Sequence, residues 1–322
     1  MTGAGFRLTL NTRTAGGHPA GRFADFVALL KPRPMSVVVL TALAGLLAAP
    51  GSTTLSVALV AMVAIALGGG GSAVLNMWFE RDLDARMVRT AGRPIPAGRV
   101  KPAEALAFAL ALIATGLVAM AAVSGLAAAT MLALTILFYG VVYTMWLKRA
   151  TPLNVVVGGG LASILTPLTG WAAATGGVSL EAVALFAFLV PWTPPHVWSQ
   201  ALVRSADYSN AGVPMMPVVA GSARTRRMIV GFTAAHALLA LLPLALGTTG
   251  LAWLVVASLG GVAMTVESVR MARMLDASAQ AAAWTFYRHN SVYVVALLAV
   301  LIAERALGLL VPLATVTDYL LR

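Results

Sequence analysis

Cysteine is absent from the 322 residues, which removes disulfides, thiolate nucleophiles and thiolate metal sites. Charge is nearly as scarce: Asp, Glu, Lys and Arg make up 10% of the chain, against about a quarter in an ordinary soluble domain. A water-facing surface cannot be covered from that inventory. Acidic residues are the rarest charge, 11 against 22 basic ones, so a place where several gather stands out. The N-terminal residues 1–34 hold no hydrophobic signal core, since 8–10 is far too short for one.

What the chain has is apolar length. Hydrophobic residues make up 60% of it and the mean hydropathy is +0.89. Apolar stretches of about 20 residues recur throughout, the signature of transmembrane helices. Nine spans are expected, near 35–50, 54–79, 103–123, 126–147, 153–173, 178–203, 228–247, 251–269 and 290–311. The fold class is therefore an all-α polytopic membrane bundle around a cavity open to the cytoplasmic side. It divides into a cytoplasmic arm (1–34), a transmembrane domain (35–311) and a tail (312–322). Within the arm, 23–30 reads as an amphipathic approach helix broken at Lys31-Pro32-Arg33-Pro34.

Charge placement gives an orientation. The basic residues gather in the arm and in every second connection: Arg81 to Lys101, Lys148 and Arg149, Arg204 to Arg227, and Arg270 to Arg288. Of the 22, only Arg305 and Arg322 fall elsewhere. The positive-inside rule then sets the N-terminus and the basic loops in the cytoplasm and the C-terminus outside. An inner (plasma) membrane location follows as the expectation. The net charge of +11 is in large part this topology, and part of it can face an anionic, phosphate-bearing substrate. No nucleic-acid partner is expected, because the basic residues sit at membrane edges.

Three of the acids lie within five positions, in Asn76-Met-Trp-Phe-Glu80-Arg-Asp82-Leu-Asp84. Residues four apart share a helix face, so Asn76, Glu80 and Asp84 form one stripe of oxygen donors and Asp82 points elsewhere. Magnesium commonly bridges such carboxylates to substrate phosphates. Arg86, Arg89 and Arg93 follow in a segment rich in Gly and Pro, and guanidinium forks suit phosphate oxygens. A solvated helix end with local ion pairs is the plainer alternative. Asn76 weighs against it, since an unpaired amide deep in an apolar run is costly.

A second stripe closes the sixth span: His196, Gln200, Arg204 and Asp207, after Pro194-Pro195, which should kink or restart the helix. It too leaves through a Gly/Pro loop, to Gly212, Pro214 and Pro217. The two stripes are four helices apart, as in a repeat whose halves face across a cavity. His236 and His289 read as packing or interface residues. The glycines at 68–71 and 158–160 read as close helix contacts.

Three segments in order resemble the UbiA-type intramembrane prenyltransferases, in the branch that farnesylates protohaem. They are Asn76 to Pro94, Tyr143 to Asn154, and Trp192 to Pro217, and the likeness runs from about Leu30 to about Ala303. Two departures stand out: Glu80 occupies a position often held by Asp, and the second stripe is less acidic than in quinone-type relatives. The resemblance implies that Asn76, Glu80 and Asp84 hold Mg²⁺ on the diphosphate of farnesyl diphosphate. It implies that Arg89, Arg93 and Lys148, with Arg149 and Arg204 as further candidates, neutralise the leaving pyrophosphate. Haem B would be the acceptor, through a vinyl group, giving haem O after water addition. His196 would contact haem as ligand, propionate partner or base, the plainer alternative being a buried packing histidine bonded to Asp207 or backbone, and Asp207 would complete the catalytic set. A downstream haem-modifying enzyme or oxidase is a possible partner. Other readings stay open: another acceptor such as a quinone precursor, a transporter, or a non-catalytic haem-delivery factor.

Overall fold

The computed structural model describes residues 19–51 and 53–308; most of the N-terminal arm and the 312–322 tail fall outside. The described residues are helical with no strand. The chain is a multi-pass membrane protein.

Helix α1 (Pro19–Leu29) meets α2 (Pro32–Ala48) at a 45° bend. Pro32 opens α2, and Lys31 before it takes the left-handed conformation, φ 51° and ψ 61°. Among the described residues it is the one non-glycine at positive φ, a geometry that costs about 1 kcal/mol. Ion pairs of Arg22 with Glu104 and of Asp25 with Arg99 tie α1 across the neighbouring helix start and loop, and Phe26 packs edge-on to Phe108 at 5.0 Å.

Helix α3 (Leu55–Phe79) runs through the first half of the bundle and is followed by short α4 (Arg81–Arg86). Next, α5 (Pro102–Leu137), a π-helical segment (Phe138–Leu147) and α6 (Lys148–Ala150) follow without a gap. That run, Pro102–Ala150, is 49 residues long and contains both the third and the fourth expected spans. A straight helix of that length would measure about 74 Å, more than twice the ~30 Å hydrocarbon core. The chain instead reverses at Gly125, whose φ of 80° and ψ of 179° interrupt the helix. Gly68 of α3 shows the result: it lies against Gly116 before the reversal and against Leu132 and Ile136 after it.

A second π segment (Val155–Gly159) leads into α7 (Gly160–Thr175). Helix α7 crosses α2 at near-minimum distance. A Cβ on Gly45 would fall 1.9 Å from the Pro167 carbonyl oxygen, and one on Gly170 would fall 1.9 Å from that of Ala42. In lipid, where helices gain little from the hydrophobic effect, such small-residue contacts supply much of the packing energy.

The second half comprises α8 (Leu180–Phe186), α9 (Leu189–Val203), α10 (Ser205–Asn210), α11 (Met216–Ala220), α12 (Ser222–Leu239), α13 (Leu242–Ala245), α14 (Leu251–Arg273) and α15 (Asp276–Ala306). Contacts of α7 with α9 and of α15 with α2 close the bundle between the halves. Glu304 of α15 is 1% exposed; its two oxygens accept from the Gly250 and Trp253 amides, each at 2.9 Å. A buried carboxylate thus caps the start of α14, where orphan N–H groups and the helix dipole favour an anion. Arg226 joins α12 to the α14–α15 turn, donating to Asp276, Ser222 and the Met274 carbonyl.

Among the described residues seven helices are long and apolar enough to cross a bilayer, or eight when the bent α1–α2 pair is taken as one span. The length criterion counts the α5 hairpin once and passes α2, 17 residues long, only together with α1. Two expectations change. The last helix begins at Asp276, well before 290, so Arg288 and His289 lie inside it and the α14–α15 connection is only 274–275. The break in the sixth span falls at 187–188, ahead of Pro191, Pro194 and Pro195, which occupy the first two turns of α9. Pro191 falls in the first turn, where its missing N–H has no partner to lose, whereas Pro194 and Pro195 lie inside the helix and leave the carbonyls of Val190 and Pro191 without their usual donors.

Candidate active site

The polar end of α3 is built by continuity of the helical ladder across a break. Glu80 leaves helical geometry (φ −85°, ψ 6°), yet its amide still bonds to the Asn76 carbonyl at 3.0 Å and its carbonyl accepts from the Asp84 amide at 2.8 Å. The four-residue spacing therefore survives, and Asn76, Glu80 and Asp84 are each 3% exposed. All three line one cavity of about 120 Å³, room for about four water molecules. Asp82 points away, to an exposed ion pair with Arg149.

Each of the three donors carries a cation. Lys31 Nζ donates to Asn76 Oδ1 at 2.6 Å, Lys148 Nζ to Glu80 Oε1 at 2.5 Å, and Arg93 Nη1 to Asp84 Oδ2 at 2.7 Å. Asn76 Nδ2 donates to Thr144 Oγ1 at 3.1 Å, which fixes the amide with its oxygen toward Lys31. The loop 87–101 holds Arg93 through stacked turns: Thr90 N to Met87 O at 3.0 Å, Arg93 N to Thr90 O at 2.9 Å, and buried Thr90 Oγ1 to Asp84 O at 2.9 Å. Arg89 stands at the rim. Partial burial, with Arg93 and Arg204 nearby, holds its guanidinium below its ordinary value against the opposing pull of Tyr208 and Asp84.

The opposite wall depends on the π segment. Tyr139, Tyr143 and Lys148 all line the cavity, though Tyr139 and Lys148 are nine residues apart. Nine residues make about 2.5 turns of an α-helix, which would send Lys148 to the far side. The wider i→i+5 winding makes them about two turns and brings all three to one face. Thr144 Oγ1 helps hold that winding by donating to the Tyr139 carbonyl at 2.8 Å. Tyr208 and Val213 close the cavity from the second half.

Not every expected residue is here. Arg149 lies outside the cavity, its guanidinium over the Phe79 ring at 4.7 Å. The His196–Asp207 stripe is broken: α9 ends at Val203, Arg204 departs from helical geometry (φ −117°, ψ 24°) and Asp207 sits in α10. Asp207 makes no side-chain hydrogen bond among the described residues and does not line the cavity. His196 turns to α15, stacked on Trp192 and tilted against Tyr287, with ring centroids 4.6 Å apart in each pair, and Ser291 Oγ lies 3.4 Å from Nδ1. Tyr287 stacks on Trp284 at 5.1 Å, and Arg204 lies over Trp284 at 5.5 Å. The two stripes therefore do not face each other; Tyr208 and Val213 take the place expected of the second. His236 packs with Nδ1 2.8 Å from the Phe188 carbonyl, and His289 pairs with Glu267.

Sequence reading missed Lys31, Tyr139, Tyr143 and Tyr208 as lining residues. Tyr143 and Tyr208 lie inside the resembling segments. Nothing in the local pattern marks Lys31 or Tyr139.

The donor set fits magnesium on its chemistry: two carboxylates and an amide, all hard oxygen donors, in one cavity with cations that suit phosphate. Among the described residues no group of three His, Cys, Asp or Glu side chains could hold a metal by itself. Substrate phosphates and water would have to supply the remaining ligands. The cavity admits a small anion with its metal and is well below the 300–1,000 Å³ or so of pockets for larger organic ligands.

Residues 37–292 match the UbiA prenyltransferase family. A relative from Methylobacterium nodulans named protoheme IX farnesyltransferase is 48% identical, covering 91% of this chain and 92% of that protein. Another of that name from Azorhizobium caulinodans is 48% identical over 87% of this chain and 91% of its own length. Among solved structures, a digeranylgeranylglyceryl phosphate synthase aligns with a TM-score of 0.72 at 16% identity, over 88% of this chain and 98% of that one. A UbiA homolog from Archaeoglobus fulgidus bound to GPP and Mg²⁺ aligns with a TM-score of 0.66 at 18% identity, over 86% and 99%.

Proposed function

The chain belongs to the UbiA prenyltransferase family, and from that premise we propose that it transfers the farnesyl group of farnesyl diphosphate to a vinyl group of haem B, giving haem O. The observation that carries this reading is the cavity itself, where two buried carboxylates and an amide meet a ring of cations. The acceptor rests on the relatives named protoheme IX farnesyltransferase.

Asn76, Glu80 and Asp84 would hold magnesium, which when bound withdraws charge from the diphosphate and eases loss of the leaving group. Arg93 and Lys148 then stabilise the charge that grows on the pyrophosphate as the allylic C–O bond breaks, with Arg89 at the rim. The vinyl group attacks the farnesyl carbon, a C–C bond forms, and positive charge moves to the carbon next to the porphyrin. Water adds there and loses a proton, leaving the hydroxyethylfarnesyl side chain. His196 serves the acceptor, as the polar member of the aromatic row beside Arg204. Arg204 and Asp207 act at that acceptor side; Arg149 supports the site from outside through Asp82. The enzyme sits in the inner membrane with its basic loops and N-terminus in the cytoplasm, in line with the positive-inside distribution.

Purified protein given haem B, farnesyl diphosphate and Mg²⁺ should form haem O, read by mass spectrometry, and Asp84→Asn should not. Stable wild-type protein that yields no haem O but prenylates a quinone precursor would replace the acceptor. No prenylation of either would sink the reading.

A further inference from the structure

The cavity lining holds four cations, Lys31, Arg89, Arg93 and Lys148, and two carboxylates, Glu80 and Asp84. Both acids are taken, by Lys148 and Arg93. Lys31 has no carboxylate. Its one hydrogen bond among the described residues is to the neutral Asn76 amide; Arg93 and Lys148 lie close enough to repel it, and Glu80 and Asp84, each already paired, attract it without a direct contact. A hydroxyl could satisfy that amide oxygen without bringing in a third mutually repelling cation. The backbone adds to the cost, since Lys31 is in the left-handed region and is held there between the end of α1 and Pro32. A strained lysine brought into a buried cavity without a carboxylate partner of its own persists where the site gains from it.

We propose that Lys31 is a third phosphate-binding cation of this site, parked on Asn76 in the empty cavity and delivered by the strained α1–α2 turn. The proposal rests on the diphosphate reading above. Asn76, Glu80 and Asp84 each have one cation, and loading exchanges partners: the oxygens turn to the metal, and Lys31, Lys148 and Arg93 turn to the phosphates. The formal surplus of positive charge in the cavity is then met by the anion. As the C–O bond breaks, the phosphate group gains one negative charge, so the surplus favours the departing pyrophosphate over the intact ester. In the sequence Lys31 marks only the basic arm and the Lys31-Pro32-Arg33-Pro34 helix break; its contact with Asn76 spans 45 positions.

The test is calorimetric titration of magnesium pyrophosphate into the full chain in detergent, with melting temperature as a folding control. Lys31→Gln keeps a donor for Asn76 and removes the charge, and Lys31→Arg keeps the charge. Lys31→Gln should bind pyrophosphate at least tenfold more weakly, and Lys31→Arg within about threefold of wild type. Lys31→Gln binding as tightly as wild type would overturn the role of Lys31 and leave the diphosphate site standing. Wild-type protein that binds no pyrophosphate, or binds it equally well after Asp84→Asn, would overturn the site and the inference together.

Discussion

Replacing Lys148 with Met should damage the protein in two separable ways. Glu80 and Lys148 side chains are 4% and 19% exposed, so the substitution leaves a nearly buried carboxylate without its cation. Breaking a buried pair costs about 3–5 kcal/mol. The cavity lets water reach one side, which brings the expected loss toward about 3 kcal/mol, read as a lower melting temperature in detergent. The second effect is on turnover. Removing one preorganised cation from a developing anion lowers kcat by about 10²–10³. Glu80→Gln in the Lys148→Met background separates the two, because it removes the orphaned charge. The double variant should recover stability to within about 1 kcal/mol of wild type; its turnover stays low whatever Lys148 does, because Glu80 is itself a proposed magnesium ligand, so the leaving-group role is read from folded Lys148→Met. A kcat for folded Lys148→Met within threefold of wild type would refute the leaving-group role outright.

Glu304→Ala removes two charge-assisted bonds from the buried start of α14 and should cost about 3 kcal/mol in detergent unfolding; an unchanged melting temperature would contradict the cap. Gly170→Ala drives a methyl into the Ala42 carbonyl and should destabilise by about 3 kcal/mol, whereas Gly177→Ala, with open space around it, should be near neutral. The Asp276 carboxyl is held below its ordinary 3.8 by hydrogen bonding and attraction from Arg226. A depressed acid stabilises the fold above its unfolded value and loses that contribution as pH falls through the folded one. The stability gap between wild type and Asp276→Asn should therefore be full near neutral pH and close below about pH 4; a gap independent of pH would rule out the pairing. His196→Ala should alter the absorption spectrum of bound haem and leave pyrophosphate affinity unchanged, and the reverse pattern would move His196 to the diphosphate side.

Scarcity of charge made the bilayer legible from the sequence alone, because an inventory of 10% charged residues cannot coat a soluble surface. The stripe of Asn76, Glu80 and Asp84 was legible for a local reason: it needs only the four-residue repeat, and the backbone bonds preserve that repeat through the end of α3. So was the place of the reversal, because the expected spans 103–123 and 126–147 leave only a short connection there, which the structure makes at Gly125. Local rules failed once a residue's position depended on a partner far along the chain. The helical repeat grouped His196 with Asp207, but the departure of Arg204 from helical geometry splits that face and α15 supplies the rings around His196. Lys31 reaches Asn76 across 45 positions, and Lys148 reaches Glu80 across 68. Tyr139, Tyr143 and Lys148 share a wall only because the segment between them winds as a π-helix. Periodicity in a sequence reports which face of its own helix a side chain takes. Which cation meets which oxygen is settled by how helices cross and wind, and that is a property of the packed bundle.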